Sequence, residues 1–258
     1  MEKKTNKMFW VFFVIFAAAL SFGVWYYVSQ KEREQVYTDL AEEAKTEEPE
    51  KETEEEPEIP EAEKEPVEIP VDFASLKEKN PEIYAWIRIS DTSVDYPILQ
   101  RPEDDGHYLD HTVDGAEGLP GSIYTESLNK QDFSDKNTVI YGHNMKDETM
   151  FGSLKYYMDP TYMKQHEQIE IYTPEHSYTY RIFAAVTYDN RHILKSFDFH
   201  EDDQYQQFLD SLSQVRNMSS YINSEIPVTT EDRILTLSTC NGNNEQRFLV
   251  EAVLIDEK

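Results

Sequence analysis

The chain has 258 residues, a formal net charge of −27 at pH 7 and a single cysteine, Cys240. A charge this negative repels a phosphate backbone, so the composition argues against a nucleic-acid partner. One cysteine cannot form an intramolecular disulfide, so its thiol is either an inert buried group or a reactive one.

The first predicted element is a membrane-spanning helix over residues 8–28. This run contains no charged residue, and as a helix it is about 31 Å long, enough to cross the apolar core of a bilayer. Lys3, Lys4 and Lys7 precede the run. The positive-inside rule therefore predicts a cytoplasmic tail over residues 1–7 and an extracellular remainder, which describes a single-pass protein of the cell membrane.

A cleaved signal peptide is the alternative interpretation of the same segment. The small residues Ala17, Ala18 and Ala19 fit a cleavage site. The apolar run continues for nine residues beyond Ala19, which favours an uncleaved anchor.

Residues 29–70 are predicted to form an acidic, Glu- and Pro-rich extracellular spacer. Between residues 41 and 70 there are fourteen Glu and only three Lys. Such a composition cannot bury enough apolar surface to offset the entropy of ordering, and its like charges extend the chain. Residues 31–40 could instead continue the membrane helix outward.

Residues 71–258 are predicted to form one domain of mainly β structure. Runs rich in β-branched and aromatic residues alternate with turn signals, which indicates a barrel or a sandwich of about eight strands. The runs are 85–89, 93–99, 121–125, 137–141, 168–172, 177–188, 233–239 and 247–255. Helices are predicted over 73–79, 149–158 and 201–215, the last of them in the connection before the strand that ends at Cys240.

His143 is the candidate for acid–base chemistry among the seven histidines. It directly follows the strand-like run that ends at Gly142, and a strand that leaves into a glycine turn is a usual position for a catalytic side chain. The other interpretation is an ordinary polar residue in a turn.

Arg247 is the third candidate and begins the strand that follows Cys240. If the two flanking strands are adjacent and antiparallel, both side chains project near the same rim of the sheet. A guanidinium there could donate hydrogen bonds to a developing oxyanion. The alternative is a surface arginine at the end of a hairpin.

Three motifs taken together resemble the sortases, the Gram-positive cysteine transpeptidases that attach surface proteins to the cell wall. They are Thr236–Cys240, Ile140–Asn144 and Arg247–Val250. Segments similar to class B of that family are Asp95–Gln100, His107–His111 and Met150–Leu154. The resemblance covers residues from about 72 to the end. It implies an eight-stranded sortase-type β-barrel with an N-terminal helix and a helix before the cysteine strand.

The resemblance also implies residue roles. Cys240 is the nucleophile, Arg247 stabilises the oxyanion, and His143 protonates the leaving amine and later deprotonates the incoming one. Ser238, two residues before Cys240, should share its strand face and could touch the substrate peptide. Leu109 is similar to a groove residue of class B enzymes, with core packing as the alternative.

The expected partners are the sorting-signal peptides of secreted surface proteins, an amine of a peptidoglycan precursor or cross-bridge, and the membrane. No motif for a metal or a nucleotide is found, so no cofactor is expected. Three other functions stay open on these residues. They are a pilin-polymerising sortase, a cell-wall cysteine peptidase and a non-catalytic anchored ectodomain with an inert cysteine.

Overall fold

The computed structural model describes residues 2–45, 69–214, 220–243 and 245–258. Most of the predicted acidic spacer, residues 46–68, lies outside the described residues, as does the last residue of the helix predicted over 201–215. The described part is a mixed β-sheet, with both parallel and antiparallel pairs, that closes into a barrel with helices packed around it.

Nine strands occur in the described part of the chain. They are β1 (Ile83–Arg88), β2 (Asp95–Leu99), β3 (Ile123–Thr125), β4 (Asn137–Tyr141), β5 (Gln168–Tyr172), β6 (Ser177–Asp189), β7 (Tyr221–Ile222), β8 (Ile234–Cys240) and β9 (Gln246–Glu257). Eight of them overlap the eight runs predicted from sequence, with ends that differ by one or two residues in most cases. The two-residue strand β7 was not predicted, because a pair of residues is too short to show an alternating pattern.

Eight strands close the barrel. The order is β5-β1-β2-β3-β4-β8-β9-β6, and β5 pairs antiparallel with β6 to complete the ring. The short β7 pairs only with β6, outside the ring. Closure leaves no free edge among the eight strands. The predicted eight-stranded, mainly β barrel is thereby confirmed.

Six α-helices surround the barrel in the described residues. They are α1 (Glu2–Glu43), α2 (Phe73–Lys79), α3 (His107–Asp110), α4 (Pro160–Gln165), α5 (Ile193–Ser196) and α6 (Asp202–Gln214). Asp72 caps α2, since its carboxylate accepts hydrogen bonds from the backbone N–H groups of Ala74 and Ser75. The helix predicted over 149–158 is a 3₁₀ helix over Gly152–Met158, because helical spacing of apolar residues does not separate a 3₁₀ turn from an α-helix.

Two apolar clusters fill the part of the chain that the structure describes. The first lies inside the barrel and includes Trp86, Ile140 and Leu237, all fully buried. The second lies between the outer face of the barrel and α6, where Tyr205, Phe208 and Leu212 are buried. Their spacing of three and four residues places them on one face of an amphipathic helix.

Helix α1 does not end where the apolar run ends. Its first described side chains, from Met8 to Val28, are exposed, whereas Tyr37, Leu40 and Ala44 are buried against the barrel. Beyond α1, the backbone of Lys45 pairs with that of Val71. The packed domain therefore includes residues before position 46, whereas the sequence pattern placed its start at residue 71. Many charged residues surround the few apolar ones in this segment, so composition alone hid the buried stripe.

Candidate active site

Cys240 and Arg247 are directly opposed across the antiparallel pair β8–β9. Opposed residues project to the same face with Cβ atoms about 4.5–5.5 Å apart. Cys240 is the last residue of β8 and is exposed, and Arg247 is partly exposed. The loop between them therefore brings a thiol and a guanidinium to one rim of the barrel.

The parallel pair β4–β8 brings His143 to the same rim. Tyr141 is in register with Ser238, and because the strands are parallel, their carboxyl ends emerge together. The Gly142 N–H donates to the Ser238 carbonyl at 3.2 Å, and Thr239 Oγ1 donates to the Gly142 carbonyl at 2.7 Å. Two hydrogen bonds thus fix the residue before His143 to the two residues before Cys240.

Gly142 is required by close packing beneath the rim. A Cβ atom at this position would lie 2.5 Å from Ile123 Cδ1 and 2.7 Å from Phe151 Cδ2, and no real Cβ atom tolerates such contacts. Phe151 also donates its backbone N–H to the His143 carbonyl at 2.9 Å. Glycine at position 142 therefore lets the backbone pass close to Ile123 and Phe151 before it reaches His143, which is partly exposed at the rim.

The imidazole of His143 is held by a backbone carbonyl. Its Nε2 lies 2.6 Å from the oxygen of Leu109, which follows Tyr108 in α3. A carbonyl can only accept, so Nε2 carries the proton and donates it to Leu109. The neutral ring then has Nδ1 as its free acceptor, which is the nitrogen available to exchange a proton.

Asn144, next to His143, contacts the cysteine residue itself. Its side-chain Nδ2 donates to the backbone carbonyl of Cys240 at 2.8 Å. This hydrogen bond fixes the plane of the peptide between Cys240 and Asn241. Sequence reasoning gave Asn144 no role, although it belongs to the Ile140–Asn144 motif, and that membership was the available signal.

Arg247 has no described carboxylate partner. Its Nη1 donates to the carbonyl of Gln246 at 2.9 Å, and no ion pair joins it to an acidic side chain of the described residues. A guanidinium without a neutralising carboxylate keeps donors free for an anionic group.

Two stacked tyrosines form a wall near the pair. Tyr124 and Tyr141 have ring centroids 5.5 Å apart. Burial raises the pKa of both phenols above the usual range, with a further increase from nearby Glu126. Both rings are therefore neutral and offer an aromatic surface beside Cys240 and Arg247.

The two predicted substrate-binding residues have different environments. Ser238 is only 4% exposed and lies on the Cys240 face of β8, two residues further from the rim. Leu109 is 48% exposed, so the alternative interpretation, that Leu109 packs in the core, is wrong. Its contact with His143 is made through the backbone carbonyl. No group of ligands suited to a metal is found among the described residues.

A cysteine, a histidine and an arginine at one rim of a closed β-barrel define a class of cysteine acyl-transfer enzymes. The sequence model of the Sortase domain matches residues 87–255, and the chain belongs to the sortase family. Its relatives are of class B, as the sequence motifs predicted. Sortase B of Listeria monocytogenes is 35% identical over 193 residues, which cover 73% of this chain and 76% of the relative.

Solved structures of class B sortases share the fold. The Staphylococcus aureus sortase B–substrate complex is 34% identical, with a TM-score of 0.63 over 71% of this chain and 84% of that chain. Sortase B from B. anthracis is 29% identical, with a TM-score of 0.71 over 89% of this chain and 99% of that chain. The chain is thus a sortase transpeptidase that anchors surface proteins.

Proposed function

We propose that this chain is a membrane-anchored cysteine transpeptidase that cleaves a C-terminal sorting signal after a threonine and transfers the protein to an amine of the cell wall. The observation that carries the proposal is the opposed pair Cys240 and Arg247 on β8 and β9. The parallel strand β4 brings His143 to the same rim. The similarity to class B sortases supports a sorting-signal peptide as the substrate.

The first half of the reaction forms a thioester. The Cys240 thiol gives its proton to Nδ1 of His143, which becomes an imidazolium. The thiolate then attacks the threonine carbonyl carbon, and an S–C bond forms. The tetrahedral oxyanion then collapses, the C–N bond breaks, and His143 gives its proton to the leaving amine.

The second half restores the enzyme. An acceptor amine attacks the thioester carbon while His143 takes its proton. A new C–N bond forms, the C–S bond breaks, and Cys240 leaves as a thiolate. Water in place of the amine gives hydrolysis, so the ratio of the two products reports on the acceptor site.

Arg247 stabilises the oxyanion in both halves. Its guanidinium is adjacent to the sulfur, since the two residues are an opposed pair. Donors placed in advance near the developing charge cost no reorganisation during the reaction. Ser238 and Leu109 are proposed to line the path of the sorting peptide, Leu109 with its exposed side chain.

The apolar part of α1 is proposed to anchor the enzyme in the cell membrane. One described helix, over residues 8–43, is long and apolar enough to cross a bilayer. The lysines before it favour a cytoplasmic N-terminus and an extracellular catalytic domain. In that arrangement the barrel lies just outside the membrane, where sorting signals and cell-wall precursors meet.

Product analysis tests the proposed reaction. The full chain in detergent is incubated with a library of threonine-containing sorting peptides, with and without a glycine or diamine acceptor, and the products are read by mass spectrometry. We expect an amide product only with acceptor and a hydrolysed peptide without it. Hydrolysis that saturating amine does not divert would indicate a cysteine peptidase. Joining only to a lysine of a protein acceptor would indicate a pilin-polymerising sortase.

A further inference from the structure

Tyr37 of helix α1 is a buried tyrosine at the junction between the anchor helix and the barrel. Its side chain is 4% exposed, and its hydroxyl has three polar neighbours. The Gly121 carbonyl oxygen lies at 2.5 Å, Ser122 Oγ at 2.9 Å and the Val113 backbone nitrogen at 3.1 Å. Burial raises the pKa of the phenol, so Tyr37 is a neutral donor.

These contacts join two segments of the barrel loops. Val113 follows α3, and Gly121 lies in the connection that leads to β3. The two segments are also bonded to each other, since Ser122 donates its N–H to the Tyr108 carbonyl at 2.9 Å and its hydroxyl to the His111 carbonyl at 2.9 Å. The Tyr37 hydroxyl therefore lies at the meeting point of both segments.

The same two segments support the imidazole of His143. The Leu109 carbonyl accepts from His143 Nε2. Gly121 packs against this hydrogen bond, because a Cβ atom at position 121 would lie 2.6 Å from the Leu109 oxygen and 3.1 Å from His143 Cδ2. The Gly121 backbone is thus packed directly against both the ring and the carbonyl that orients it, and Tyr37 holds the Gly121 carbonyl.

A second contact from α1 strengthens the junction. Arg33, one helical turn before Tyr37, donates its Nε to the Leu119 carbonyl at 2.7 Å. Leu119 lies two residues before Gly121 and in the same connection. The segment that packs against His143 is therefore attached to the anchor helix at two successive points.

We infer that Tyr37 is a positioning residue for His143, so that the membrane-anchor helix forms part of the support of the catalytic histidine. The path runs from the Tyr37 hydroxyl through the Gly121 backbone to the Leu109 carbonyl and the imidazole. Loss of the hydroxyl frees the Gly121 segment and with it the donor geometry of Nε2. This inference rests on the proposed role of His143 in proton transfer.

Tyr37→Phe in the full chain in detergent micelles tests the inference. Phenylalanine keeps the ring and its edge-on packing against Tyr96, with centroids 5.7 Å apart, and removes only the hydroxyl. We expect kcat to fall by about ten- to a hundredfold, since small misplacements of a catalytic group cost this much. The KM for the peptide should stay within about twofold, and the pH profile of kcat should shift because the proton on His143 is held differently.

Tyr178→Phe is the matched control. Tyr178 is 3% exposed and also donates its hydroxyl to a backbone carbonyl, that of Asp132, at 3.0 Å. It lies ten residues along β6 from Tyr188, which pairs with Arg247, a path of about 33 Å along the strand. A comparable loss of stability with unchanged kcat and pH profile is expected for the control.

Three outcomes would overturn the inference. They are an unchanged kcat and pH profile in Tyr37→Phe, an equal loss of kcat in Tyr178→Phe, and an unchanged His143 imidazole signal in ¹⁵N NMR of Tyr37→Phe. The NMR signal does not require turnover. If the wild-type chain had no transpeptidase activity but Tyr37→Phe still shifted the His143 signal, the positioning role would be supported and the proposed function refuted. If Tyr37→Phe does not fold, Arg33→Lys replaces it. This variant keeps the charge and removes the Nε that donates to Leu119, and we again expect a lower kcat and a shifted pH profile.

Discussion

At the scale of single residues, the proposed chemistry depends on three side chains from three strand ends. The opposed pairing of Cys240 and Arg247 sets the distance between the thiol and the guanidinium, and the parallel register of β4 and β8 sets the position of His143. Sequence motifs predicted all three as site residues, and the structure brings them to one rim. They gave no role to Asn144 or to the Leu109 carbonyl, because a contact to a backbone atom of a distant segment leaves no pattern in the residues themselves. For Asn144 the one available signal was its place in the Ile140–Asn144 motif.

Arg247→Lys should lower kcat by about a hundredfold and change KM little. Lysine keeps the charge and loses the planar fork of N–H donors that an oxyanion needs. Steady-state kinetics with a sorting peptide and an amine measure this. Arg181→Lys, at a surface ion pair with Glu167, is the control and should match wild type. A kcat within threefold of wild type for Arg247→Lys would contradict oxyanion stabilisation by the guanidinium.

Asn144→Ala should lower kcat by about five- to tenfold. The lost hydrogen bond to the Cys240 carbonyl is worth about 1 kcal/mol, and 1.4 kcal/mol corresponds to a factor of ten in rate. The same kinetic assay checks this, with Asn223→Ala in a surface turn as control. An Asn144→Ala enzyme with wild-type kcat would show that the orientation of the 240–241 peptide does not matter.

At the scale of elements, the outer face of β8 and β9 carries a buried carboxyl beneath α6. Glu251 is fully buried, and its Oε2 lies 2.8 Å from Thr236 Oγ1, which lies 3.0 Å from Asn137 Oδ1. A hydroxyl has one proton to donate, so a neutral Glu251 that donates to Thr236 satisfies both contacts. Burial raises the pKa of Glu251 to about 8.

Stability should therefore fall as pH rises toward 8 because of Glu251. A carboxyl whose pKa is raised on folding from 4.5 to about 8 binds its proton more tightly in the folded state, so its contribution is complete below about pH 4.5 and is lost toward pH 8. Glu251→Gln keeps a donor and cannot ionise. We expect its Tm relative to wild type to rise by several degrees between pH 5 and pH 8.5 in thermal melts. A constant difference would contradict a neutral buried carboxyl.

The elements themselves were largely predictable. The long strand β6, the amphipathic α6 and the capped α2 each have a periodic or capping signal. The short helices α3, α4 and α5 have four to six residues and were not predicted, because one turn gives no period. Register and barrel closure come from tertiary packing. The strand pattern left a barrel and a sandwich open, and only the family resemblance implied a barrel, while the register was not predicted.

At the scale of the whole molecule, α1 joins the proposed anchor segment to the barrel as one continuous helix. Removal of residues 2–45 should lower the Tm by about 5 °C or more compared with removal of residues 2–28. The larger deletion takes away the buried Tyr37 and Leu40, each worth about 1.5–3 kcal/mol. Differential scanning calorimetry of both chains measures the difference. Equal Tm values would show that residues 29–45 do not stabilise the domain.

The central claim is that Cys240 carries the acyl group. The most direct measurement is the intact mass of the full chain, trapped during turnover of a sorting peptide and mapped by peptide fragmentation. We expect a thioester adduct of the N-terminal peptide fragment on Cys240, which an added amine discharges to an amide product and which Cys240→Ala lacks. An amide product formed by Cys240→Ala, or turnover with no adduct on Cys240, would contradict the account.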